Sequence, residues 1–239
     1  INVQRLTPSG SALIENGKES FFGIATDAAN EPYKHNMIYL GNNETLLYWQ
    51  DNRWGESKIY GSKITPSFDI NNEFFTNQDI NGDPLTSLQL SQQNPKAILA
   101  GNNIFSSFKV EESPNENLYF QLLNLDLSLN GESIPIASPA SSKQGFEMAY
   151  GNDGFIYYAY SEDYDITIKK IDSDGNLIWG PIEATESDGA ADNIIQSVHP
   201  LPNSGCMIIY EYQSWLTGDY IYGLIIDQNG NIQSNPILI

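Results

Sequence analysis

The apolar residues of this chain fall into short runs that recur in a fixed order, with turn-forming residues between them. Met37-Ile38-Tyr39-Leu40 leads through Gly41-Asn42-Asn43 to Leu46-Leu47-Tyr48-Trp49. The order returns as Ala97 to Ala100, Gly101-Asn102-Asn103 and Ile104 to Val110, and again as Phe146 to Tyr150, Gly151-Asn152-Asp153 and Phe155 to Tyr160. A further copy reads Ile194 to Val198, Asn203-Ser204-Gly205 and Cys206 to Tyr212. After a polar loop each copy adds a third run: Ile59 to Ile64, Leu118 to Leu123, Ile166 to Ile171 and Tyr220 to Ile226. Short runs rich in β-branched and aromatic residues, bounded by Gly, Asn and Asp, predict strands. Two of the third runs end in hairpin-turn sequences, Asp172-Ser173-Asp174-Gly175-Asn176 and Asp227-Gln228-Asn229-Gly230-Asn231. Asp-Gly and Asn-Gly supply the positive φ angles that tight hairpins need. No segment carries a helical period long enough to predict a helix.

The unit recurs every fifty to sixty residues or so, roughly the longer spacing of propeller blades. Three strands and a looser fourth per unit suit a blade that buries its faces against its neighbours. The expected fold is therefore all-β, a β-propeller of about four to five blades built from diverged tandem repeats. One domain spans 1–239, with a half repeat over 1–30 and repeats over about 31–90, 91–140, 141–190 and 191–239. Tyr48, Tyr158 and Ile209 are expected to face between sheets, and each glycine-bearing tripeptide to form a turn. Leu6-Thr7-Pro8-Ser9 matches Ile64-Thr65-Pro66-Ser67, so the chain starts partway through a unit. Val3 to Leu6 is expected to pair outside its own repeat, and Ile232 to Ile239 to supply the last unit's fourth strand.

Glu44 to Arg53, containing Trp49-Gln50-Asp51-Asn52-Arg53, and Lys58 to Ile64 resemble a bacterial repeat, as does Asp172 to Trp179. The resemblance is to secreted propeller-type repeat proteins of Bacteroidota surfaces. It implies export to the bacterial surface or periplasm and no particular activity, because propellers host both binding and catalysis. The chain lacks an initiator Met and a signal peptide, so Ile1 is expected to be a processed or trimmed start.

Charge narrows the partners. Thirty acidic residues against 11 basic ones give a formal net charge of −19. Such a field repels phosphate backbones and anionic headgroups, and the nearest approach to a basic cluster is Lys169-Lys170. Nucleic acid is therefore not an expected partner, and no apolar stretch reaches membrane-spanning length. A protein partner in an envelope or surface complex, or a glycan, is expected instead.

Candidate chemistry is sparse. Cys206 is the sole cysteine and sits in an apolar run, which makes it a core residue. His199 precedes Pro200 with no nucleophile-elbow motif nearby, so a hydrolytic triad is not expected. Asp172, Asp174 and Asn176 alternate, and Glu183 falls at an EF-hand closing position. Leu177 stands where that loop needs Gly, so the segment is read as a hairpin and no metal or cofactor is assigned. Glu116-Asn117-Leu118-Tyr119-Phe120-Gln121 matches a potyviral protease site, but it lies in register with the other third strands. Paired carboxylates of a glycosidase remain the main enzymatic alternative, with no blade motif that marks them. The binding residues proposed from sequence are Arg53, Trp54, Tyr164 and Trp215, in loops between second and third strands. Large aromatics on loops often mark contact surfaces. The function expected is a non-catalytic extracellular or periplasmic binding or scaffolding module of the bacterial envelope, or a structural subunit of a larger surface or secretion complex, with a carbohydrate-binding lectin or five-bladed glycosidase as the alternative.

Overall fold

The computed structural model describes residues 2–4, 9–11, 14–15, 18–19, 21–23, 33–53, 55–66, 75–77, 82–112, 115–137, 143–186, 189, 191–214 and 216–239. Every described element is a strand. The first part of the chain holds β1 (Asn2–Gln4), β2 (Ile14–Glu15), β3 (Lys18–Glu19) and β4 (Phe21–Gly23). The first large sheet comprises β5 (Tyr33–Gly41), β6 (Glu44–Asp51), β7 (Lys58–Pro66), β8 (Phe75–Asn77) and β9 (Asp83–Pro84). The second contains β10 (Gln92–Ala100), β11 (Asn103–Glu112), β12 (Asn115–Leu123) and β13 (Leu129–Pro135). The third contains β14 (Lys143–Tyr150), β15 (Phe155–Glu162), β16 (Asp165–Asp172) and β17 (Leu177–Glu183). The fourth contains β18 (Ala191–Pro200), β19 (Gly205–Ser214), β20 (Gly218–Asp227) and β21 (Ile237–Leu238). Within each sheet, successive strands pair antiparallel in chain order, except that in the first both β8 and β9 pair with β7.

The four first strands stand side by side around an axis, β5 against β10, β10 against β14 and β14 against β18. The sheets are blades radiating from that axis. Both faces of β6, β11 and β15 are therefore covered, which is why these strands do not show the apolar–polar alternation of a half-buried strand; in β11 even Ser106, Ser107 and Lys109 are buried. In β15, Tyr158 enters the seam with the second sheet and its neighbour Tyr157 enters the seam with the fourth. This is the two-residue period of a strand serving two cores at once. Phe105 stacks on Phe120 at 4.4 Å and Phe146 on Tyr158 at 5.8 Å, filling the second seam. Polar tips are satisfied across the seams: the Tyr158 and Ser107 hydroxyls bond at 2.7 Å, and the Ala97 N–H donates to the Tyr48 hydroxyl at 3.1 Å.

The turns fall at the repeated tripeptides. Gly41, Asn42 and Asn43 all have positive φ, as do Gly101, Gly154 and Ser204. Gly205, with φ 105°, could not carry a Cβ, which would press on the Ile226 carbonyl oxygen. Two expectations need correction. Ile208, not Ile209, packs into the seam with the third sheet; Ile209 lies on the other face, half-buried, because adjacent strand residues point oppositely. Among the described residues the N-terminal strand pairs within the first thirty, Val3 opposite Phe22, rather than outside its own repeat. A local partner closes a short loop at small entropic cost, whereas a distant seam needs a long one. Residues 5–8, which include Leu6, lie outside the described residues. Ile237–Leu238 pairs with β20 as the fourth strand expected for the last unit.

Candidate functional site

The first strands begin with a shared irregularity. In β5 the register shifts between Tyr33 and Asn36, in β10 between Gln93 and Lys96, and in β14 between Lys143 and Phe146. Two residues in each strand thus oppose one in its partner: Lys34-His35, Asn94-Pro95 and Gln144-Gly145. Such bulges bend a strand and redirect its side chains, and they concentrate beside sites. Lys34 and Asn94 hold the left-handed conformation, with φ 54° and 52°. The bulge at Asn94 is pinned from the neighbouring blade, because its N–H donates to Gln50 Oε1 at 2.9 Å. The last blade is pinned likewise, with the Ile195 N–H donating to Ser161 Oγ at 2.8 Å.

These starts surround an axial cavity of about 560 Å³, lined by all four first strands. That volume suits a small-molecule or oligosaccharide site. The three bulges present Lys34, Asn94 and Gln144 to it, and Phe146 and Tyr48, both buried, supply apolar wall. Three lysines line it, Lys34, Lys96 and Lys109, against one carboxylate, Glu147. Glu147 is ion-paired to Lys96, whose ammonium also sits 5.5 Å from the Phe146 ring centre. Lys109 pairs with Glu116. Lys34 and His35 are exposed, and Lys34 has no ion pair among the described residues. Glycoside hydrolysis by two carboxyl groups needs them roughly 5 to 9.5 Å apart across the scissile bond. The described wall brings one carboxylate to the cavity, and a lysine already holds it.

Of the loop residues proposed from sequence, Arg53 and Tyr164 lie at this end of the blades. The β15–β16 turn carries Tyr164, and β15 pairs Glu162 with Lys143 at the start of β14. The Tyr164 carbonyl accepts the Asn193 N–H and Nδ2, each at 2.9 Å, beside the wall residue Ile194. Tyr164 itself is half-exposed, with φ 78°. Arg53 is engaged inside the fold. Its Nε donates to both Asp51 oxygens at 2.9 Å, and its guanidinium lies 4.0 Å from the Tyr60 ring centre. The Trp49 indole N–H donates to the same carboxylate at 2.8 Å. Burial pushes the Asp51 carboxyl up, but the Arg53 and Trp49 bonds outweigh it and hold it below the usual range. Trp54 and Trp215 lie outside the described residues.

Sequence reasoning missed the bulge residues. The signal was present in Pro95 and Gly145, which interrupt strand runs as bulge residues do.

The remaining candidates are structural. Asp172 Oδ1 accepts the Asp174 and Asn176 N–H groups at 3.0 and 2.8 Å, and Oδ2 accepts Asn176 Nδ2 at 2.9 Å. Asp227 repeats this pattern with Asn229 and Asn231. No group of three or more metal-ligating side chains occurs among the described residues. Cys206 is fully buried, and burial pushes its thiol up to about 12. His199 bonds Ser197 Oγ at 2.9 Å on an exposed stretch of β18, with no carboxylate hydrogen-bonded to that ring among the described residues. The segment 116–121 lies within β12, paired on both sides.

No family model matches the chain, and no curated protein matches it. Solved structures do. An α-L-arabinofuranosidase from Lactobacillus brevis is similar at 10% identity over 92% of this chain and 82% of that one, with a TM-score of 0.56. An endo-arabinase from Bacteroides thetaiotaomicron VPI-5482 is similar at 10% identity, 91% and 84% coverage and a TM-score of 0.52. An exo-β-1,3-galactanase from Phanerochaete chrysosporium, with galactose, is similar at 11% identity over 99% of this chain and 54% of that one, with a TM-score of 0.52. At such identities the likeness bears on fold: the chain is a β-propeller.

Proposed function

We propose that this propeller is a carbohydrate-binding module whose site is the axial cavity, and that binding there proceeds without hydrolysis. The observation that carries the reading is the composition of the wall. It offers amides and, on a bulge, an ammonium without a partner among the described residues, beside an aromatic flank, while its one described carboxylate, Glu147, is tied to Lys96. Amides and ammonium groups suit sugar hydroxyls, and aromatic surface suits sugar faces. Fold neighbours that act on arabinan- and galactan-type glycans support the ligand class, since the fold alone decides no activity. Secretion to a bacterial surface, as the repeat resemblance implies, fits a glycan ligand.

The test is calorimetric titration with arabinan- and galactan-derived oligosaccharides and with uronic-acid oligosaccharides, followed by product analysis. Binding without chain shortening is the expected result. Cleavage that disappears in Glu147→Gln would replace this reading with a glycosidase. Absence of binding across all three sugar classes would remove the cavity as a glycan site.

A further inference from the structure

We infer that the axial site selects acidic sugars, through the ammonium of Lys34 at its mouth, which has no partner among the described residues. The inference rests on the carbohydrate-binding reading above and names the ligand class within it. The chain has 11 Lys and Arg residues and 30 acids, yet the cavity wall holds three lysines and one glutamate. Two of these lysines have carboxylate partners, Glu147 for Lys96 and Glu116 for Lys109. Lys34 is left over, exposed and unpaired among the described residues, with exposed His35 beside it.

Its conformation strengthens the argument. The equivalent position in the next blade is Asn94, a residue that adopts left-handed backbone readily. Lysine does not, and a non-glycine residue held in that region is strained. Lys34 nevertheless holds φ 54°. Backbone strain of this kind clusters at ligand clamps. The chemistry that an unpaired ammonium among amides would recognise is a sugar carrying a carboxylate or a sulfate. Elsewhere the net charge of −19 repels anions, so the selectivity has to be local.

The experiment compares three trisaccharides by calorimetry against the whole chain: neutral galactotriose, trigalacturonate and a sulfated galactotriose. Inorganic sulfate serves as competitor. One charge-assisted hydrogen bond more should tighten the acidic probes about tenfold over the neutral one. Stronger binding of trigalacturonate would assign the site to uronic acids, and stronger binding of the sulfated probe to sulfated sugars. Lys34→Gln should erase the preference, so that acidic and neutral probes bind alike, while Lys34→Arg should retain it; thermal melts check that both variants fold. Equal affinity for all three sugars, or a preference that survives Lys34→Gln, would overturn the inference while the glycan reading stands. If inorganic sulfate displaced trigalacturonate completely and galactotriose never bound, the site would be a plain anion site and the glycan reading would fall instead.

Discussion

The two ends of the blades use the same polar residue types in opposite ways. At the end away from the axial cavity, polar side chains bind one another. Asp153 Oδ2 accepts the Tyr157 hydroxyl at 2.7 Å and Lys170 Nζ at 2.9 Å, and the Tyr157 oxygen in turn accepts the Gly205 N–H at 2.7 Å. Asn103 Nδ2 reaches the Ser173 carbonyl of the next blade at 3.0 Å, and Trp179 Nε1 reaches that of Gln228 at 2.9 Å. At the cavity end the bulges turn Lys34, Asn94 and Gln144 toward the space between blades, and none of these side chains is bonded to a described residue. Both ends tie blades together, the cavity end through Gln50 to Asn94 and Ser161 to Ile195, but only the cavity end presents these three side chains in reserve. An asymmetry of this kind separates scaffold from site even where both are polar.

The comparison breaks first at Lys170. It is 5% exposed and its partner Asp153 11%, so Lys170→Met would strand a buried carboxylate and cost about 3–5 kcal/mol. Urea unfolding measures this directly. A loss below about 1 kcal/mol, the median for exposed pairs, would mean that the far end is solvated and that the contrast between ends is false.

Acid should act on the far end next. Burial pushes the Asp153 and Asp172 carboxyls up, but for Asp153 the Tyr157 and Lys170 bonds, and for Asp172 the Asn176 and turn N–H bonds, prevail and hold both below the usual range. Asp227 is lowered chiefly by Asn231. A carboxyl whose folded pKa is depressed stabilises the native state fully above its unfolded value, near 3.9, and loses that contribution as pH falls through the folded value. The urea midpoint should therefore drop as pH is lowered from about 5 to about 3. Asp153→Asn, already destabilised, should show a shallower drop; an unchanged slope would sink the assignment.

The repeats, and with them the blades, were legible in the sequence because both faces of β6, β11 and β15 are buried. Ile156 to Tyr160 is apolar throughout for that reason, and no alternation was needed to recognise it. The motif Trp49-Gln50-Asp51-Asn52-Arg53 was visible too, but its meaning was not. Sequence suggested a binding arginine, whereas Trp49, Asp51 and Arg53 close a knot and Gln50 holds the neighbouring bulge and Ser57. That partnership joins Gln50 to Asn94, forty-four positions on, and no local pattern carries it. The cavity residues were hidden for a related reason: polar pairs at strand starts look like the ends of loops until the register is known.

The smallest effect belongs to the bulge itself and separates its backbone from its side chain. Gln50→Ala leaves the Asn94 N–H without its acceptor and should cost about 1–3 kcal/mol. Asn94→Gly keeps that N–H and suits the left-handed angle, so stability should move by no more than about 0.5 kcal/mol, with reduced strain and greater unfolded-chain entropy opposing each other. The amide facing the cavity is nevertheless gone in Asn94→Gly. If that side chain serves a ligand, oligosaccharide affinity should fall while the urea midpoint holds. If the residue serves only the bend, affinity and midpoint should both stay where they were. A variant that keeps its midpoint but loses affinity would place Asn94 with the reserved donors of the cavity end, whereas losses in both would move it to the scaffold with Gln50.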